Sequence, residues 1–105
     1  MEAFIQAAAL RAGAILWSRH AIERLVTRRL SRKHVEASLA TCSVIEVYPD
    51  VHRPLPDGLV LAWQGADEPL HAVVALDIAN NRLFIVTVYR PDPARWSDDW
   101  KRRRS

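Results

Sequence analysis

The chain has 105 residues, half of them hydrophobic, which suffices for one packed core and is too little for two. Its formal charge of +3 is unevenly distributed: residues 11–34 carry seven Lys or Arg against one acid, residues 35–100 carry four Arg against ten acids, and residues 101–104 add four positive charges. Cys42 stands alone, which excludes an internal disulfide and fits a reducing, cytoplasmic setting; Glu2 and the interruption at Arg11 argue against a signal peptide or membrane span.

Residues 2–12, with five alanines beside Phe4, Ile5 and Leu10, predict a helix that stops near Gly13. Ser18 is placed to cap a second helix to about residue 29, and Ser31 a third to about residue 41 with Val35 and Leu39 inward. Together these two make a tight hairpin. In the second helix Ile22, Leu25 and Val26 are expected to form the buried stripe, while His20, Arg24 and Arg28 recur every four residues on the opposite side. Cys42 reads as a packing residue at the end of the third helix.

After Thr41 the period changes, and Val44, Ile45, Val47 and Tyr48 read as a strand ended by Pro49 and Asp50. Pro54, Pro56 and Gly58 mark a loop, residues 59–63 a second strand, and residues 65–69 a turn. Residues 70–78 and 83–89 flank Asn80 and Asn81, which tolerate the positive backbone angles of a tight hairpin. Helices followed by strands predict one α+β domain over residues 1–100, its N-terminal helices packed on an antiparallel meander of about four strands. Trp96 and Trp100 are expected to clamp the C-terminal segment, with residues 101–105 a basic tail that frays.

The His20, Arg24 and Arg28 row offers an imidazole and two guanidiniums, a surface suited to phosphate. His20 and His71 are candidates for acid and base in RNA transesterification, with His20 taking the proton of the 2′-hydroxyl and His71 protonating the leaving oxygen. Arg24 would stabilise the pentacoordinate phosphate, Tyr89 would orient a phosphate or base, and Arg28, Arg29, Arg32 and Lys33 would hold flanking phosphates. This chemistry needs no metal and no cofactor. The histidines at 20, 34, 52 and 71 lack ligand spacing, one cysteine cannot build a thiolate zinc site, and three glycines make no phosphate-binding loop. A competing reading keeps the histidines structural and uses the basic hairpin to bind a nucleic acid or a protein without catalysis. Tryptophans on the surface would also suit a homodimer interface.

Ser18, His20, Ala21 and Arg24 spell S-x-H-A-x-x-R, and Val88, Tyr89, Pro91, Asp92 and Trp96 spell V-Y-x-P-D-x-x-x-W. With these motifs the chain resembles a bacterial family of small uncharacterised domains, over about residues 15–96, and the resemblance implies an α+β fold. More distantly, the order of helix hairpin and meander is similar to bacterial toxins of the RelE and BrnT kind. That likeness implies messenger RNA as substrate and an antitoxin as a partner. The densest basic cluster here lies on the helices, whereas those toxins carry much of theirs on the sheet and C-terminal region.

Overall fold

The computed structural model describes residues 1–48 and 55–105. The strand end assigned to Pro49 and Asp50, the loop residue Pro54 and His52 lie outside the described residues. In chain order the elements are α1 (Glu2–Ala9), β1 (Ile15–Trp17), α2 (Arg19–Arg28), α3 (Arg32–Ser38) with a 3-10 turn (Leu39–Thr41), β2 (Ser43–Tyr48), β3 (Asp57–Gly65), β4 (Glu68–Asp77) and β5 (Arg82–Tyr89). The fold is α+β, and β2 to β5 form the expected antiparallel meander.

One strand was not foreseen. β1 pairs in parallel with β5 through Ile15, Leu16 and Trp17, which makes a five-stranded mixed sheet in the order β1-β5-β4-β3-β2. Three apolar residues are too few to display a period of two, and their partner lies far along the chain. Gly13, at φ +75, turns the chain from α1 into this strand.

The two faces of the sheet are covered by different material. Val60, Ala62, Ala72, Val74, Leu76, Leu83, Ile85 and Val88 share one core with Ile5 and Ala8 of α1, Ala21 and Leu25 of α2, and Val35 of α3. On the other face His71 pairs with Leu61 and Tyr89, and the buried Trp96 packs against His71 from the C-terminal segment. A bulge between Val73 and Val74 leaves Val86 without a partner on β4. It brings Ile85 and Val88 to the helix side and Thr87 and Tyr89 to the other. At the far edge β2 and β3 approach so closely that a Cβ on Gly58 would meet the Glu46 carbonyl oxygen at 2.7 Å.

The buried line of α2 is not the one its wheel suggested. Ala21 and Leu25 are buried, whereas Ile22 is 44% and Val26 78% exposed. The small Ala21 lets the helix lie close on β5, and the stripe shifts toward Arg24 and Arg28, both half-buried. The basic row therefore adjoins the buried stripe. The tail also departs from expectation, since Arg103 pairs with Glu46 and Arg104 with Asp98.

Candidate functional site

β1 covers β5 only as far as Ile85, so the second half of β5 would present an open edge. Helix α2 lies along that edge and closes it with its own side chains. Ser18 caps the helix by accepting from the Ala21 N–H at 3.0 Å, and its hydroxyl donates to the Val86 carbonyl at 3.0 Å. At the other end, Arg28, the last residue of α2, donates from Nη1 to the Val88 carbonyl at 3.0 Å. The outward carbonyls at both ends of the bare stretch are thus satisfied from α2.

Arg28 holds more than the edge. Its guanidinium carbon lies 6.0 Å from the centroid of the Tyr89 ring, and its own carbonyl accepts from Arg90 Nη1 at 2.5 Å. Thr27, Arg28, Arg29, Tyr89 and Arg90 line an open cleft of about 490 Å³. Three guanidiniums and a phenol around one cleft suit an anion with oxygen acceptors. Arg29 takes the left-handed conformation at φ 54, and its N–H closes the helix end onto the Leu25 and Val26 carbonyls. Glycine is the usual residue at such a position, so Arg29 holds its place at a conformational cost.

Of the other residues singled out in the sequence, His20 and Arg24 are neighbours, with Arg24 Nε donating to His20 Nε2 at 3.4 Å on the exposed helix surface. Arg32 faces elsewhere: it bonds Glu36 at 3.0 Å and lies over the Trp17 ring, whose Nε1–H donates to the same Glu36 carboxylate at 2.7 Å. Lys33 is exposed on the first turn of α3. Arg90 and Thr27 complete the cleft without having been singled out; the signal for Arg90 was its place directly after Tyr89 at the strand end.

The structure does not bring His20 and His71 together. His71 is fully buried on the sheet face turned away from α2, so the sheet stands between the two imidazoles. Its Nε2 lies 2.8 Å from the Trp100 carbonyl, which can only accept, so Nε2 carries the proton. Nδ1 then accepts from the Tyr89 hydroxyl at 3.2 Å. Burial pushes the His71 pKa down and keeps the imidazole neutral, and burial likewise pushes the Tyr89 phenol up. The Trp96 ring meets His71 edge-on at 4.4 Å, and the Arg103 guanidinium lies 4.8 Å from the Trp96 centroid. Arg103 binds both Glu46 oxygens, at 2.8 and 3.1 Å, and its hydrogen bonds hold the Glu46 carboxyl below the usual range. The C-terminal segment is thereby strapped over His71.

Both sequence motifs acquire a structural meaning. In the first, Ser18 ties helix to strand, Ala21 permits the close approach, and His20 and Arg24 remain at the surface. In the second, Val88 enters the core and Tyr89 bonds His71. Asp92 accepts from the Arg95 and Trp96 N–H groups and so forms the turn that delivers Trp96 to its place.

Fold and edge together define a small α+β domain with a basic helix laid along its last long strand. A family model for a domain of unknown function, DUF4258, matches residues 17–90, and the chain belongs to that family. The match opens one residue before the Ser18 cap and closes on Arg90, so it encloses both sides of the cleft. No curated protein and no solved structure matches the chain. Among the described residues no helix is long and apolar enough to cross a membrane.

Proposed function

We propose that the domain binds single-stranded RNA by its phosphates along the α2–β5 edge. The observation that carries this reading is the cleft in which Arg28, Arg29 and Arg90 surround Tyr89 and Thr27. Guanidiniums grip phosphate oxygens, and an aromatic ring beside them offers a platform for a base. His20 and Arg24 continue the basic row along α2 at a rise of about 6 Å per four residues. The test is fluorescence anisotropy with labelled single-stranded RNA across a salt series, on the native chain and on Arg29→Ala and Arg90→Ala. Each variant is expected to weaken binding and to lower the salt slope by about 0.7 per lost phosphate contact. Absence of binding, or a slope unchanged by both substitutions, overturns the reading.

A second reading, metal-independent cleavage of the bound RNA in the manner of a toxin-type endoribonuclease, rests on the exposed pair of His20 and Arg24. His20 would take the 2′-hydroxyl proton on Nε2 as Arg24 turns from that nitrogen to meet the charge of the phosphorane, and solvent water would protonate the departing 5′-oxygen, giving a 2′,3′-cyclic phosphate and a 5′-hydroxyl. His71 takes no direct part, because it is buried, neutral and committed to Tyr89 and the Trp100 carbonyl. Incubation with end-labelled RNA in chelator checks this: cyclic-phosphate ends that vanish in His20→Ala support cleavage. Binding without cleavage leaves the first reading alone.

A further inference from the structure

A second cleft, of about 310 Å³, lies beyond the α2–α3 corner and is lined by His34, Ala37, Ser38, Trp63 and Gln64. Two features set it apart from an incidental surface hollow. Trp63 is 42% exposed, so part of its indole faces solvent at the cleft. The side-chain nitrogen of Gln64 is buried and has no hydrogen-bond partner among the described residues, a condition native proteins seldom leave standing.

We infer that this cleft is a nucleobase pocket, in which a base lies against Trp63 and presents an acceptor atom to the Gln64 amide. The chemistry on offer fits a base edge. The Gln64 amide swings about a terminal torsion that is broad and soft, and no hydrogen bond holds Nε2 where it is, so it turns toward a ligand without losing one. Ser38 donates its hydroxyl proton to the Val35 carbonyl at 2.6 Å, which leaves its oxygen as an acceptor at the cleft. His34, on the exposed side of α3, adds an imidazole at the rim. Donor and acceptor beside an aromatic surface are what a planar base with mixed edge groups requires, and stacking alone would bind any base.

The inference rests on the proposed RNA reading for its polymer, and the position of the cleft supports that connection. Arg29, in the first cleft, and His34, in the second, are five residues apart, a span of at most about 18 Å of chain. Lys33 stands exposed between them. A strand crossing the corner would lay its backbone on the arginines and place one base beside Trp63, which makes this cleft the element that selects sequence.

The test compares short homopolymers of A, C, G and U with an abasic ribose-phosphate chain, using the native protein, Trp63→Ala and Gln64→Met. The native chain is expected to prefer one homopolymer. Trp63→Ala should lose about tenfold in affinity for it, with no change toward the abasic chain. Gln64→Met should erase the preference while its melting temperature stays level or rises, since it removes an orphaned donor. A preference that survives both substitutions in folded protein overturns the inference. A parallel NMR titration with the four nucleoside monophosphates reads the Gln64 side-chain amide directly. If RNA fails to bind but a monophosphate shifts that amide, the pocket stands and the polymer reading falls; if no monophosphate shifts it, the pocket falls.

Discussion

Two surfaces meet at Tyr89, and they are built by opposite means. Toward α2 the strand edge is closed by long charged side chains, with Arg28 reaching a backbone carbonyl and Arg29 and Arg90 beside it in an open cleft. Toward the C-terminal segment the sheet is closed by rings, with Trp96 only 3% exposed against a buried, neutral His71. The first surface is polar and open; the second is ring-packed and closed. Tyr89 belongs to both, its ring near Arg28 and its hydroxyl on His71, so the packed side holds still a residue that the open side presents.

The sharpest way to break the contrast is Trp96→Ala, which removes the buried indole from between His71 and Arg103. A loss of about 3–5 kcal/mol is expected in denaturant unfolding, the cost of emptying an aromatic site. Next in size is His71→Leu, which leaves the Trp100 carbonyl and the Tyr89 hydroxyl without their partner and should cost about 2 kcal/mol. The same variant sharpens the comparison through pH. An unfolded histidine binds a proton near 6.5, whereas burial holds the folded His71 pKa below that value. Native stability should therefore be fully retained above pH 6.5 and decline as the pH falls beneath it. Glu46, depressed by Arg103, adds its own decline only below its ordinary 4.5. Melting curves between these two values should slope in the native chain and flatten in His71→Leu.

The smallest effect is the most diagnostic. Arg29→Gly relieves a left-handed arginine and should raise stability by about 1 kcal/mol, while weakening RNA binding. A gain in melting temperature with undiminished affinity would show that the side chain at 29 takes no part in the cleft.

How much of this was legible in the sequence differs between the two surfaces for physical reasons. Ser18, Ser31 and Asn81 announced themselves because caps and tight turns are local: Ser18 and Ser31 accept helix N–H groups, and Asn81 sits at φ 56. The alternation that put His71 on one face of β4 and Ala72 on the other was equally local. The separation of His20 from His71 was not, because it depends on which face α2 covers, and a wheel cannot say that a small Ala21 will outcompete Ile22 and Val26 for the contact. Neither could sequence show that Arg103 would reach Glu46, since a run of four basic residues reads as a solvated tail until its partner is seen across the sheet. The basic cleft was half legible: Arg28, Arg29 and Tyr89 were singled out, while Arg90 joined them only once strand end and helix end lay side by side.

The tie from Arg28 to Val88 has a consequence for colloidal behaviour. A bare β-strand edge invites pairing with another chain, and this guanidinium occupies the acceptor that such pairing would use. Any ligand that draws the arginine into the cleft uncovers that acceptor for as long as it stays bound. A screen for self-association should therefore find substitutions at position 28 as readily as a screen for binding would, with α2 still lying along the edge to limit how far any pairing spreads.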